Sequence, residues 1–269
     1  MTKTLKIATI QTALEWENPQ ANLKHFDYLL EHQLKEKVDI IVLPEMFTTG
    51  FTMNVENNYE EENGTGLTWM KEKAKAMGTV ITGSVIVKKA DRYYNRLYWV
   101  DEQGVCVGHY DKRHLFRMAN ETDYFSPGNA TIITEKNGFK IYPLICYDLR
   151  FPVWSRNIYD KETDSHRYEV LIYIANWPAA RSDAWVSLLK ARAIENQCYV
   201  VGVNRIGEDG KGIPYSGDSR VFDAKGQVLY QAKPDAEEIA VTTLELGSLS
   251  EFRTKFPVGL DADRFQLEK

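Results

Sequence analysis

The stretch FKIYPLICYDLRFP, residues 139–152, joins an apolar run to a cysteine and then to charged residues. Its first part, 141–145, is short and apolar and predicts a buried β-strand. The strand is expected to end at Cys146, and a helix to begin after Pro152 with Val153 and Trp154 on its inner face. A thiol at the carboxyl end of a buried strand lies where the ligand crevice of an α/β protein usually opens. The stretch therefore predicts a sheet strand that ends on a candidate nucleophile.

Cys146 also has a purely structural interpretation. Unpaired cysteine is among the residue types most often buried in protein cores, and a thiol becomes reactive only where its surroundings favour the thiolate. Residue type alone favours the structural interpretation. A catalytic cysteine would need partner groups from elsewhere in the chain.

The composition excludes several classes of protein. The chain has 269 residues, 43% hydrophobic and 26% charged, with a net charge of −5 and no basic block, which argues against a nucleic-acid partner. No apolar run has the length of a membrane span, and the amino terminus lacks the apolar core of a signal peptide. Cys106, Cys146 and Cys198 do not form a disulfide framework. We expect a cytoplasmic protein with one domain over 1–269.

Hydrophobic periodicity divides the chain into strands that alternate with a few helices. Helices are predicted after Asn18 and Pro19, over 64–77 with Gly78 as its stop, and after 182–183, where Ser182 and Asp183 are expected to cap the helix. Further strands are predicted at 5–11, 38–43, 79–87, 93–100, 105–110, 130–134, 169–175, 198–203, 219–222 and 239–244. About a dozen strands exceed one open sheet. The pattern predicts an α/β fold with two mixed sheets packed face to face and helices outside.

Three ionisable residues follow predicted buried strands. Glu45 closes VDIIVLPE, Lys112 follows VCVGHY, and Cys146 closes FKIYPLIC. A thiol nucleophile, a carboxylate that accepts its proton and an ammonium that stabilises an oxyanion form a workable set for acyl transfer. Taken singly, Glu45 could be a turn carboxylate and Lys112 a solvated surface residue. Only their convergence would make them a site.

Other chemistries find little support in the sequence. Cys106 and His109 share a strand, but the remaining cysteines have no partners at zinc-ligand spacing. Ser216 lacks the glycine two residues before it that a nucleophile elbow requires. No P-loop and no G-x-G-x-x-G motif occurs.

Four blocks resemble the nitrilase superfamily of carbon–nitrogen hydrolases, and most closely its omega-amidase branch. In order, they are LPEMFTTGF (43–51), YDKRHLF (110–116), LICYDLRFP (144–152) and ANWPAARSDAWVSLLKARAIENQCYVVGVNRIG (175–207). The resemblance implies an α-β-β-α sandwich whose subunits pair into a homodimer or a higher homo-oligomer. The tail, about 250–269, is expected to pack on a neighbouring subunit. The resemblance also implies that no metal and no organic cofactor is used.

The same resemblance assigns roles to individual residues. It implies a catalytic triad of Glu45, Lys112 and Cys146. Glu121 corresponds to a second family glutamate that orients substrate and catalytic groups. The backbone N–H of Tyr147 is expected to hold the oxyanion together with Lys112.

The implied substrates are ω-amides of small α-keto acids, such as α-ketoglutaramate and α-ketosuccinamate. Arg150 or Arg181 would hold the substrate carboxylate, and Phe116 and Trp177 would form pocket walls. Arg150 could instead form a structural ion pair, for instance with Asp148. Another small amide, an N-carbamoyl compound or a nitrile remains an alternative substrate. A catalytically idle scaffold of the same fold is disfavoured, because all three residues of the triad are present.

Overall fold

The computed structural model describes residues 3–263 and 265–267. Within these residues two six-stranded sheets pack face to face. Helices α1 and α3 cover the outer face of the first sheet, and α5 packs on the second. The predicted α-β-β-α sandwich of two mixed sheets is confirmed. No helix of the described residues is long and apolar enough to span a bilayer.

The strands are β1 Thr4–Gln11, β2 Ile40–Val42, β3 Val80–Lys89, β4 Arg92–Val100, β5 Cys106–Asp111, β6 Thr134–Lys136, β7 Phe139–Ile145, β8 Tyr159–Asp160, β9 Ser165–His166, β10 Val170–Ala175, β11 Tyr199–Asn204, β12 Ile206–Glu208, β13 Pro214–Ser216, β14 Arg220–Phe222, β15 Val228–Gln231 and β16 Glu238–Glu245. The α-helices are α1 Pro19–His32, α2 Val55–Asn58, α3 Thr65–Met77, α4 Glu121–Tyr124, α5 Ser182–Asn196 and α6 Leu246–Lys255. Short 3₁₀ segments are Arg117–Ala119, Cys146–Arg150, Ala179–Arg181 and Val258–Asp261.

Each sheet has a parallel centre. The first has the order β16-β1-β2-β3-β4-β5, with β1, β2 and β3 parallel, and the second has the order β15-β14-β11-β10-β7-β6, with β7, β10 and β11 parallel. The carboxyl ends of parallel strands lie at one edge of a sheet, so the residues that follow them gather there. The segments after β2, β7 and β10 supply the site described below.

The core between the sheets is apolar and tightly filled. Leu97 and Trp99 of β4 belong to the same buried cluster as Phe139 and Ile141 of β7. A second cluster fills the space between the first sheet and its helices, with Phe26 of α1 among its members. The first cluster holds the two sheets together, and the second holds helices on the outer face of the first sheet.

Several local predictions are confirmed. Asn18 caps α1, since its side chain accepts a hydrogen bond from the N–H of Ala21, and Pro19 is the first helical residue. Gly78 ends α3 in the left-handed conformation at φ 62°, which glycine adopts without the steric cost of a Cβ atom.

Other local predictions are wrong. No α-helix begins after Pro152: residues 152–155 form a turn, and Val153 is 48% exposed. Ser182 and Asp183 do not cap α5, because the cap position is Arg181 and no side chain accepts a capping hydrogen bond there. Ile194, predicted to lie on the apolar face of α5, is 48% exposed. The first of these errors concerns the existence of a helix, and the other two concern the start of α5 and its buried face.

Several elements have no counterpart in the predictions, namely strands β8, β9, β12, β13 and β15 and helices α2, α4 and α6. The segment predicted as a turn at 207–212 is part of an antiparallel hairpin, β12–β13. Helix α6 forms near the carboxyl end and packs on its own chain, where Arg253 donates hydrogen bonds to the carbonyls of Gln197 and Tyr168. Strand β6 is displaced from its predicted position: it spans Thr134–Lys136, whereas a strand was predicted over 130–134.

Candidate active site

The ammonium of Lys112 lies between two carboxylates inside the protein. Lys112 follows β5, and its Nζ donates to Glu45 Oε1 at 3.0 Å and to both oxygens of Glu121 at 3.0 Å. None of the three side chains is more than 1% exposed. Burial by itself lowers the pKa of Lys112, but the negative charges of Glu121 and Glu45 outweigh it and raise that pKa above its ordinary value. Lys112 is therefore a fixed positive charge at neutral pH.

Glu121 begins the short helix α4, directly after the left-handed residue Asn120 at φ 57°. Besides its contacts with Lys112, its Oε2 accepts a hydrogen bond from the N–H of Phe116 at 2.5 Å. Burial raises the pKa of Glu121, and the positive charge of Lys112 opposes that rise. The Glu121 carboxylate therefore holds the Lys112 ammonium together with Glu45.

Two asparagines that sequence reasoning missed orient Glu45. Asn95 Nδ2 donates to its Oε1 at 2.7 Å, and the N–H of Asn176 donates to its Oε2 at 2.8 Å. The Asn176 side-chain amide also donates to the Glu45 carbonyl at 2.6 Å. Both positions carried a signal, since Asn95 interrupts an apolar strand and Asn176 directly follows one. Buried amides in such places usually have a hydrogen-bonding task.

Cys146 occupies a strained turn at the end of β7. It is the first residue of a 3₁₀ segment and has a left-handed φ of 44°, which costs a non-glycine residue about 1 kcal/mol or more. Its Sγ lies 3.9 Å from the carbonyl oxygen of Asn176. Burial raises the pKa of Cys146 well above its ordinary value, the charge of Glu45 raises it further, and Lys112 lowers it. The thiol is therefore protonated at neutral pH and needs a base when it attacks.

A pocket opens over Cys146, with a volume of about 620 Å³ including its mouth. Four of its lining residues were predicted to bind substrate: Phe116, Arg150, Trp177 and Arg181. Lys112 and Tyr147 also line the pocket. The pocket also includes residues that were not predicted, namely Phe51, Met53, Ala119, Asn176, Pro178, Asp209, Lys211, Ile213 and Tyr215.

Both predicted substrate-binding arginines lie over aromatic rings. The Arg150 guanidinium is 5.0 Å from the ring centre of Trp177, and that of Arg181 is 5.3 Å from the ring of Phe116. Neither has an ion pair with any carboxylate in the described part of the chain. The alternative pairing of Arg150 with Asp148 is not formed. Both cations are thus available to an anionic ligand.

Comparison with known proteins identifies the family of this chain. The carbon–nitrogen hydrolase family model matches residues 6–254. The chain belongs to the carbon–nitrogen hydrolase family. The hydrolase is 46% identical over 263 residues to an omega-amidase, YafV, of Escherichia coli K12, a match that covers 98% of each chain. It is 35% identical over 254 residues to a 2-oxoglutaramate amidase of Bacillus subtilis, covering 94% of this chain and 95% of that protein.

The solved structures agree with these relatives. A carbon–nitrogen hydrolase superfamily protein from Xanthomonas campestris, with an arsenic adduct in its active site, superposes with a TM-score of 0.95 at 39% identity and covers 98% of this chain and 99% of its own. The predicted membership of the nitrilase superfamily, omega-amidase branch, is confirmed. The protein is an enzyme that hydrolyses carbon–nitrogen bonds other than peptide bonds. The individual roles of Glu45, Lys112 and Cys146 stay predictions.

A buried carboxylate ties the lysine segment of the hydrolase to its cysteine turn. Asp148 accepts hydrogen bonds from the N–H of Ile145 at 3.1 Å, from the Tyr110 hydroxyl at 2.7 Å and from the N–H of His114 at 3.1 Å. Its Oδ1 also lies 2.8 Å from His114 Nδ1. The Tyr110 hydroxyl in turn accepts from Trp154 Nε1 at 3.0 Å. Asp148 therefore links the segment after β5 to the turn after β7.

We expect Asp148→Asn to lower the free energy of unfolding by about 2–4 kcal/mol, because an amide cannot accept all the hydrogen bonds that this buried carboxylate accepts. Urea titration followed by tryptophan fluorescence measures the change. Asp183→Asn, on an exposed position of α5, is the control and should stay within about 0.5 kcal/mol of the wild type. Equal stabilities of the two variants would contradict the linking role of Asp148.

Proposed function

We propose that the enzyme hydrolyses the ω-amide of small α-keto acids, α-ketoglutaramate and α-ketosuccinamate, and releases ammonia through a thioester on Cys146. The observation that carries the proposal is that the buried Lys112 ion-pair network and the protonated thiol of Cys146 meet at one pocket. The wall of the same pocket contains two arginines that form no ion pair among the described residues. The names of the omega-amidase and 2-oxoglutaramate amidase relatives support the same substrate class.

The first half of the reaction forms the thioester. Sγ of Cys146 attacks the amide carbonyl carbon while Glu45 accepts the thiol proton. The carbonyl oxygen becomes an oxyanion, which the Lys112 ammonium and the backbone N–H of Tyr147 stabilise. Tyr147 is the second residue of its 3₁₀ segment, and N–H groups at the start of a helix have no partner within it. Each such donor contributes about 3 kcal/mol to the transition state.

Loss of ammonia completes the thioester, and water then releases the acid. Glu45 returns its proton to the departing nitrogen, the carbon–nitrogen bond breaks, ammonia departs, and a thioester remains on Cys146. Water then gives a proton to Glu45 and attacks the thioester carbon. Collapse of this second tetrahedral intermediate breaks the carbon–sulfur bond, and Cys146 regains its proton. Glu121 takes no proton in this scheme; it holds Lys112 in place.

The arginines supply the preference for an acidic substrate. An ω-amide of a keto acid carries a carboxylate at the end remote from the scissile bond, and a guanidinium can bind it through two parallel hydrogen bonds. Arg150 and Arg181 lie on the pocket wall, each stacked on an aromatic ring. Stacking orients a guanidinium without using its N–H donors, so the donors remain free for the ligand.

The remaining expectations concern the whole molecule. We infer a single domain over 1–269, a cytoplasmic location and a homodimer or higher homo-oligomer. Cys106, Cys146 and Cys198 are all free, which agrees with a reducing compartment. The exposed apolar side chains of Val153 and Ile158 offer surface that a second subunit could cover. Part of the predicted subunit-contacting tail lies outside the described residues, and its first turns, in α6, pack on the same chain.

Replacement of the nucleophile tests the mechanism. Cys146→Ala should lower the release of ammonia from α-ketoglutaramate by about a thousandfold or more, because no other thiol lines the pocket among the described residues. Cys106→Ala is the matched control and should keep the activity. Initial rates on a nitrile and on an N-carbamoyl amino acid complete the test. A wild-type rate on either that exceeds the rate on α-ketoglutaramate would reject the proposed substrate.

The pH dependence of alkylation tests Glu45 as the base. Burial keeps Cys146 protonated, so iodoacetamide should react quickly at neutral pH only while Glu45 accepts the proton. In Glu45→Gln the reaction should be roughly tenfold slower at about pH 7 and should accelerate continuously as the thiolate forms at higher pH. Glu72→Gln, on the exposed face of α3, is the control. Identical pH profiles for Glu45→Gln and the wild type would exclude Glu45 as the base.

The carboxylate preference can be measured separately. We expect Arg150→Ala to lower kcat/KM for α-ketoglutaramate by about tenfold to a hundredfold, since it removes a charge-assisted contact. Neutral aliphatic amides should lose little. Arg92→Ala, at an exposed position of β4, provides the control. A loss of equal size on charged and neutral amides would show that Arg150 supports the pocket rather than binds the carboxylate.

A further inference from the structure

The hairpin β12–β13 forms one wall of the pocket over Cys146. Its loop and second strand contribute Asp209, Lys211, Ile213 and Tyr215 to the lining. Sequence reasoning identified only a turn here and assigned no residue of the hairpin to the site. The wall therefore contains a cation, Lys211, to which the proposed mechanism gives no task.

The loop is held in one conformation by Asp209. Its Oδ1 accepts hydrogen bonds from the N–H of Lys211 at 2.8 Å and from the N–H of Ile213 at 3.0 Å. Its Oδ2 accepts from the Tyr215 hydroxyl at 3.0 Å. A carboxylate that binds the N–H groups of Lys211 and Ile213 fixes the backbone from which the Lys211 side chain extends. The loop is thus preorganised, which lowers the entropic cost of binding a ligand.

A buried arginine fixes the base of the hairpin. Arg205 is 0% exposed, and its Nη2 donates to the carbonyls of Leu14 at 3.2 Å and Glu208 at 3.0 Å. Its guanidinium lies 4.7 Å from the ring centre of Tyr215. These contacts join the hairpin to the segment after β1. The loop that carries Lys211 is therefore anchored to the body of the protein.

The charge of Lys211 is uncompensated at the mouth of the pocket. No carboxylate of the described residues lies within ion-pair distance of it. Lys211 and Met53 line both this pocket and an adjoining outer groove. The outer groove contains three acidic residues, Glu17, Glu56 and Asp123. The pocket lining has four cations and one carboxylate, Asp209, whereas the lining of the outer groove has three carboxylates and one cation, Lys211. The prevailing sign of the lining charge thus changes at Lys211, from positive inside to negative outside.

We propose that Lys211 is a specificity-determining residue that binds the substrate carboxylate from the hairpin side of the pocket. This inference rests on the proposed function and deepens it. An anionic end group meets favourable charge as far out as Lys211 and repulsive charge beyond it. The substrate class is therefore short ω-amides whose carboxylate ends within the pocket.

Two amides of equal chain length test the proposal. Glutaramate carries a terminal carboxylate, and valeramide has a methyl group in its place. In Lys211→Met we expect kcat/KM for glutaramate to fall roughly tenfold, mainly through a higher KM, as for the loss of one partly exposed charge-assisted contact. The kcat/KM for valeramide should stay unchanged. Lys211→Arg should keep most of the preference, because it restores the charge.

Lys161→Met is the matched control, since Lys161 is an exposed lysine in the turn of another hairpin, β8–β9. It should behave as the wild type. If the wild type prefers glutaramate and Lys211→Met keeps that preference, or loses both amides equally, the role of Lys211 is rejected and the proposed function stands. If the wild type itself shows no preference for glutaramate, the acidic substrate class and the role of Lys211 both fail.

Discussion

The interaction on which the site depends is the buried contact of one ammonium with two carboxylates. Removing Lys112 from water is costly, and the paired charges of Glu45 and Glu121 offset that cost. In the proposed mechanism, proton transfer to Glu45 neutralises one charge as the oxyanion gains another. The reaction therefore moves a negative charge within the site and does not create one, so the surroundings need little reorganisation.

Three of the ten non-glycine residues with positive φ in the described part of the chain belong to the site or adjoin it. Cys146 is left-handed at φ 44°, Met46 directly after Glu45 has φ 45°, and Asn120 directly before Glu121 has φ 57°. Each conformation is unfavourable for a residue that bears a side chain and persists only where the surroundings impose it. Side chains hold the backbone at two of these positions: the N–H of Ile145, next to Cys146, donates to Asp148, and the N–H of Met46 donates to Ser84 Oγ. The cost of the strain is offset by side chains that sit beside the reacting groups without taking part in proton transfer.

Much of the fold was predictable because apolar runs in the sequence indicate buried strands. The order of the family blocks then predicted the sandwich of two sheets. The ionisable groups at strand ends were found for the same reason. The hairpin that carries Lys211 was missed because its two strands are only three residues each, too short for an alternating pattern to register. The turn after Pro152 was mistaken for a helix because Trp154 is anchored by a hydrogen bond to Tyr110, a partner remote in sequence. Asn95 was overlooked because its task depends on a carboxylate from another strand.

The groups of the site come from both sheets. Glu45 and Lys112 follow strands of the first sheet, whereas Cys146 and Asn176 follow strands of the second. Their separation is therefore set by how the two sheets sit on each other, which depends on interlayer side chains such as Trp99 and Phe139. A change of volume in that core would shift one half of the site against the other without touching either half. The packing between the sheets thus sets the distance between the reacting groups. Substitutions far from the pocket can therefore alter turnover by altering the thickness of the layer between the sheets.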